Sequence, residues 1–202
     1  MGSIWRCCFP TQTFSRKISE AMKITETALP GVLILTPKIF SDSRGAFCET
    51  YNEKVMQEAG LPTTWVQDNF SVSSKHVVRG IHYQVIQPQG KLVRVAFGTV
   101  IDVAVDLRKS SPTFGKHVAV ELSEENGQML WVPPGFGHAF AVLTEKAGFA
   151  YKVTDYYSPA GERTLLWNDP KVGIDWPLTD AEAIVSGKDQ QGKTLEDAEV
   201  FA

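Results

Sequence analysis

The 202-residue chain is 43% apolar and 21% charged, with a formal net charge of -3. That is the composition of one globular domain with a real core, and its mild acidity argues against binding nucleic acid or a membrane surface. Cys7, Cys8 and Cys48 are neither a disulfide framework nor a CxxC zinc pattern, and no apolar run is long enough to span a bilayer, so a reducing, cytoplasmic setting is expected.

In chain order, residues 1–21 differ in texture from the rest and read as a dispensable extension, because Met22 opens a fresh start at "MKITETALPGV". Residues 22–202 read as a single domain. "VLILTPKIF" is the first clear strand run, followed by the polar "SDSRGAFCETY". "NEKVMQEAG", residues 52–60, has helical spacing and ends on Gly60 with Pro62 beyond it. The runs "TWVQDNFSVS", "HVVRGIHYQV", "LVRVAFGTVIDVAVDLR", "KHVAVEL", "QMLWVP", "HAFAVLT" and "FAYKVTDYY" then follow, rich in β-branched and aromatic residues and punctuated by Gly, Pro, Asn and Ser. The tail has room for another short helix. Many short strands with little helix predict an all-β antiparallel sandwich or barrel.

"GQMLWVPPGFGHAF" narrows the architecture. Gly127, Pro133, Gly135 and His138 keep the spacing G-x5-P-x-G-x2-H of the second cupin motif, in which proline and glycine turn the chain and aim a histidine into a barrel mouth. The first cupin motif would place two metal-binding histidines at alternating strand positions and a glutamate soon after. Here His82 is followed by Gln84, and the next charged residue is Lys91. Metal-independent chemistry is therefore expected.

Strand parity leaves two questions open. Arg79 and His82 fall on opposite faces of a regular strand, so either Gly80 marks a bulge or only one of the two faces the cavity. In "KLVRVAF", Lys91 and Val93 share one face and Leu92 and Arg94 the other; buried cations would imply anionic partners. Arg44, Glu49, Gln67 and Asn69 alternate with apolar neighbours. Tyr151, Tyr156 and Tyr157 read as packing residues with a hydrogen bond at the tip, and composition alone selects none of them as catalytic.

Together, "DSRGAFCETY", "VQDNFSVS", "VVRGIHYQ", "QGKLVRV", "VDLRKSSPTFG", "PPGFGHAF", "YKVTDYYSP" and "WNDPKVGIDWP" resemble the dTDP-4-dehydrorhamnose 3,5-epimerases, in order, from about residue 23 to about residue 190. The resemblance implies a cofactor-free and metal-free cupin jelly roll, usually a homodimer. It would invert carbons 3 and 5 of dTDP-4-dehydro-6-deoxy-D-glucose. By the same resemblance His82 is the base, Asp189 of "SGKD" its partner, Tyr151 the acid on the opposite face, and Lys91 the group beside the keto oxygen. Arg44, Glu49, Gln67, Asn69, Arg79, His138, Glu162 and Lys188 match substrate-contacting positions, and Tyr157 the one that stacks on thymine. In the family the first strands cross to a partner subunit, which would put Arg44 and Glu49 in the neighbour's site. Ala46 departs from the pattern, standing where many members carry an aromatic. The rival readings are an epimerase acting on carbon 3 alone, a sugar ketoisomerase of the same fold and a non-catalytic sugar-binding cupin.

Overall fold

The structure, a computed structural model, describes residues 15–17 and 21–202. Most of the expected extension lies outside the described residues; its residues 15–17 form a short edge strand.

The strands in chain order are β1 Ser15–Lys17, β2 Met22–Glu26, β3 Leu33–Pro37, β4 Ile39–Asp42 and β5 Gly45–Cys48. After helix α1 (Glu53–Ala59) come β6 Gln67–Ser74, β7 Val77–Gln84, β8 Lys91–Phe97, β9 Thr99–Asp106 and β10 His117–Ser123. Then follow β11 Met129–Val132, β12 Phe136–Val142, β13 Lys146–Val153, β14 Glu162–Thr164, β15 Ile184–Val185 and the short helix α2, Gly187–Gln190. One sheet runs β1-β2-β3-β11-β8-β13-β6 and the other β10-β9-β12-β7-β14, with β15 added to β7 in parallel; every other pairing within the two sheets is antiparallel. The expected antiparallel jelly-roll barrel is the fold.

Side-chain alternation sorts each strand into an inner and an outer face. The barrel interior is packed by Val93, Val95, Leu130, Val132 and Phe149 from the larger sheet against Ala104, Leu122, Phe136, Phe140 and Val142 from the smaller. The outer face of the larger sheet is covered by α1, which lays Val55, Met56 and Ala59 on Leu92, Met129 and Trp131. The C-terminal segment covers the smaller sheet, with Leu165, Trp167 and Trp176 over Ile81, Val103 and Val105. β9 is thus buried on both sides, which is why it reads as a nearly continuous apolar run. Its two carboxylates, Asp102 and Asp106, are buried with it and must be satisfied there.

The expected helix forms for local reasons. Asn52 accepts from the amides of Lys54 and Val55, and Gly60 closes the other end in the left-handed region at φ 74°.

Candidate active site

His82 lies in β7 directly opposite His138 in β12. The register between these strands then shifts, so that Phe140 opposes Arg79: three steps along β7 match two along β12. This bulge at Gly80 answers the parity question, because the extra residue returns Arg79 to the face His82 occupies. Gly80 has φ 119°, and a Cβ there would sit 2.5 Å from the Ala139 Cβ and 2.6 Å from the His138 carbonyl oxygen. Only glycine fits.

Asp189 reaches His82 from α2. Its Oδ1 lies 2.6 Å from His82 Nε2, and its Oδ2 accepts from the Gly80 amide at 3.3 Å. Ser186 caps the helix by accepting from the Asp189 amide, and β15 pins the segment against β7. Burial pushes the Asp189 carboxyl up, but His82, the Gly80 amide and Ser186 outweigh it and hold the group below its ordinary value. A buried carboxylate on Nε2 keeps the proton there and leaves the lone pair on Nδ1.

Lys91 projects from β8 into the barrel, its Nζ 3.4 Å from the His82 carbonyl oxygen. Burial drives its pKa down to about 8, while the charges of Asp102 and Glu162 act the other way. Arg94, three steps along β8 from Lys91 and so on the opposite face, turns outward with Leu92. It lines a groove of about 280 Å³ on the outer face of the larger sheet, beside Tyr51, Asp68 and Met129, away from His82.

Tyr151 of β13 points inward next to Asn69 and Val93. Its ring packs on Phe149 at 6.2 Å, and Phe149 in turn stacks on Phe140 at 4.2 Å and stands 5.9 Å from His138. Burial, with Glu162 assisting and Arg79 opposing, raises the Tyr151 pKa, so the phenol keeps its proton.

The remaining polar residues ring the mouth. Gln67 and Asn69 alternate inward along β6 and bond to each other at 2.8 Å. The Gln67 side chain also accepts from the Tyr157 amide at 3.3 Å. The Tyr157 hydroxyl donates to Glu162 at 2.8 Å, and Lys188 pairs with the same carboxylate at 2.6 Å. Burial raises Glu162, but Lys188, Tyr157 and the nearby His82 bring it below its ordinary value. Arg79 rests on the Ser73 hydroxyl at 2.9 Å with its guanidinium otherwise exposed. Gln84, standing where the first cupin motif would put a second ligand, is spent on structure. It donates to the Tyr156 carbonyl and accepts from the Ser158 amide, which presents Tyr157 at the mouth.

The structure therefore brings together His82, Asp189, Lys91, Tyr151, Gln67, Asn69, Arg79, His138, Tyr157, Glu162 and Lys188. It does not bring Arg44 or Glu49 to this cavity. Arg44 sits at the tip of the β4–β5 ribbon with 88% of its side chain exposed, paired with Asp42, and Glu49 accepts from Asn52. Sequence reasoning passed over Asp102, which accepts from His138 Nε2 at 2.9 and 3.1 Å. A lone charge in the apolar run "TVIDVAV" was the available signal.

The cavity thus holds an imidazole oriented by a carboxylate, a partly buried lysine and a protonated phenol. The family profile described as dTDP-4-dehydrorhamnose 3,5-epimerase matches residues 26–197. The dTDP-4-dehydrorhamnose 3,5-epimerase of Pseudomonas aeruginosa is 52% identical over 181 residues, covering 89% of this chain and 99% of that protein. The dTDP-6-deoxy-D-glucose-3,5-epimerase RmlC of Legionella pneumophila, solved in complex with dTDP-4-keto-L-rhamnose, superposes with a TM-score of 0.85 at 48% identity, covering 88% of this chain and 95% of its own. ChmJ of Streptomyces bikiniensis, a 3'-monoepimerase solved with dTDP-quinovose, superposes with a TM-score of 0.79 at 35% identity, covering 84% of this chain and 86% of its own.

Proposed function

The chain belongs to the dTDP-4-dehydrorhamnose 3,5-epimerase family, and we propose that it performs the family reaction through His82, Lys91, Tyr151 and Asp189. The substrate is a dTDP-4-keto-6-deoxyhexose. His82 Nδ1 removes the proton from carbon 3, and the electron pair of that C–H bond moves into the ring and onto the keto oxygen. A proton beside a ketone is a weak acid, so the enolate oxygen needs a positive partner, and the Lys91 ammonium supplies it from a half-buried position where screening is weaker than in bulk water. The Tyr151 hydroxyl then delivers a proton to the opposite face of carbon 3. His82 gives up its proton and Tyr151 regains one by exchange with solvent, and the same cycle at carbon 5 completes the double inversion. Asp189 holds the imidazole in the reactive tautomer and steadies the imidazolium.

The observation that carries this reading is the 2.6 Å His82–Asp189 pair, with the half-buried Lys91 side chain against the His82 carbonyl. Arg79 and Lys188 provide cations for the diphosphate, Gln67, Asn69, His138 and Glu162 contact the sugar nucleotide, and the exposed Tyr157 ring stacks on the thymine.

The protein works as a homodimer in the cytoplasm. β6 is the last strand of the larger sheet and exposes Phe70 and Val72 beside Phe97, an apolar edge suited to a second copy. The projecting β4–β5 ribbon, with Phe40 and Phe47 exposed, carries Arg44 and Glu49 to the partner's mouth.

Incubation with the keto sugar in heavy water tests the reading: deuterium at both carbons 3 and 5 is expected. Label at carbon 3 alone moves the protein to the monoepimerase reading that its likeness to ChmJ keeps in view. No label at either carbon contradicts an epimerase role.

A further inference from the structure

Tyr157 stands exposed at the mouth, so packing does not hold its ring and the backbone has to set its direction. Both peptide planes that flank its Cα are hydrogen-bonded to one side chain. Gln84 Nε2 donates to the Tyr156 carbonyl at 3.2 Å, and Gln84 Oε1 accepts from the Ser158 amide at 2.9 Å. A third bond runs from Nε2 to the Gln87 carbonyl at 2.7 Å. Because peptides are planar, φ and ψ are the only soft backbone dihedrals of Tyr157, and a grip on the planes before and after it restrains both. Its amide, accepted by Gln67, and its hydroxyl, donated to Glu162, take up the remaining freedom.

Gln84 is built for this task. It is buried in β7, two residues beyond His82 and on the same face. Two carbonyls claim its NH2 group and one N–H claims its oxygen, so only one orientation of the amide satisfies all three. Ser158 is also buried, and among the described residues no other acceptor takes its amide, so removing Gln84 strands a buried donor. The reacting groups are held by other means. Asp189 orients His82, and Lys91 is fixed in β8 by pairing with Val132 and Val153. The turn leading into Lys91 stays tied through Gly90 and Thr154, which exchange bonds at 2.8 and 3.0 Å.

We propose that Gln84 is a positioning residue for base recognition: by holding the peptides on either side of Tyr157 it aims that ring at the thymine, and so sets affinity for the nucleotide without entering the chemistry. This rests on the reading of Tyr157 as the group that stacks on the base.

A double-mutant cycle of Gln84→Met and Tyr157→Ala tests it, with dTDP binding measured by calorimetry and inorganic pyrophosphate as a second probe. Tyr157→Ala is expected to weaken dTDP about tenfold or more. Gln84→Met should weaken it about fivefold, and the double variant should bind within about twofold of Tyr157→Ala, because a residue that acts through the ring has nothing to lose once the ring is gone. Pyrophosphate, which reads the Arg79 and Lys188 cations alone, should bind within about twofold of wild type throughout. In turnover Gln84→Met should raise KM and leave kcat within about threefold. Wild-type dTDP affinity in Gln84→Met, beside a weakened Tyr157→Ala, overturns the inference and leaves the stacking role standing. So does the same fivefold loss repeated on the Tyr157→Ala background, or an equal loss of pyrophosphate, since either marks a general disturbance of the mouth. Unchanged dTDP affinity in Tyr157→Ala contradicts the stacking role itself and takes the inference with it. Should Gln84→Met fail to fold, Gln84→Asn takes its place in the cycle, being neutral and polar but one methylene too short to reach both peptides, and the same results are read the same way.

Discussion

Replacing Asp189 by asparagine changes one atom at the heart of the proposed base and forces a choice the wild type never faces. The carboxylate accepts from His82 Nε2 at 2.6 Å with one oxygen and from the Gly80 amide at 3.3 Å with the other. Asparagine has a single acceptor. The Gly80 amide can only donate, so the amide oxygen is drawn to it and the NH2 group turns to His82. Nε2 must then accept, which moves the ring proton to Nδ1, the atom that served as base. The opposite rotamer preserves the tautomer but sets the NH2 group against the Gly80 N–H, at a cost of about 1–3 kcal/mol for the buried donor left unpaired. In both arrangements the imidazolium formed during turnover has lost its counter-charge. Together these effects should lower kcat by about 10³–10⁴-fold, or about 4–5.5 kcal/mol of transition-state stabilisation. Affinity for dTDP should be preserved, since Asp189 is only 3% exposed. Steady-state kinetics with the keto sugar and calorimetric titration with dTDP measure both quantities. A variant within tenfold of the wild-type kcat would refute the dyad.

Tyr151→Phe should separate the two halves of the reaction. Deuterium should still enter carbon 3 with the original configuration retained, because His82 can return a proton to the face it came from, while inverted product falls by about 10²-fold or more; sugar NMR distinguishes the outcomes. Lys91→Ala should reduce kcat by about 10²–10³-fold. In the wild type, loss of the Lys91 proton should set an alkaline limb near pH 8, read from the kcat profile. Asp106 concerns stability rather than chemistry. Its carboxylate is buried, and although burial pushes it up, donors from Arg108, Ser111 and Thr113 bring it down to about 2. A carboxyl depressed in the fold stabilises above its unfolded value of about 3.9 and loses that contribution as pH falls through the folded value, so about 2 kcal/mol should disappear between roughly pH 4 and pH 2. Asp106→Ala, which strands the Arg108 guanidinium, should cost about 3 kcal/mol or more and lower Tm by about 6–12 °C at neutral pH in a thermal melt.

Much of this was legible in the residues because the signals are local. Asn52 and Gly60 mark the two ends of α1 through capping bonds a few residues long, and the alternation Gln67, Asn69, Ser71, Ser73 already names the inner face of β6. The Gly127–His138 spacing pointed to the barrel. What counting could not supply came from contacts across the fold. The bulge at Gly80 inserts a residue that parity does not see, so Arg79 and His82 share a face only once β12 sets the register. Asp102 acquires its meaning from His138, 36 residues away, and Gln84 from the 156–158 backbone. Arg94, by contrast, was legible: the alternation that sets it opposite Lys91 in sequence is the one that sends it to the outer groove. Arg44 and Glu49 were chosen by resemblance, and their place on an exposed ribbon is a statement about assembly that one chain's periodicity does not contain.

The account stands on the imidazole of His82 as the group that takes hydrogen from carbon. Heavy-water exchange by His82→Ala tests it most directly, with dTDP binding measured on the same preparation. The expected result is dTDP affinity within a few-fold of wild type and no deuterium at carbon 3 or carbon 5 beyond the enzyme-free rate. Deuterium entering either carbon at near wild-type rate would contradict the account.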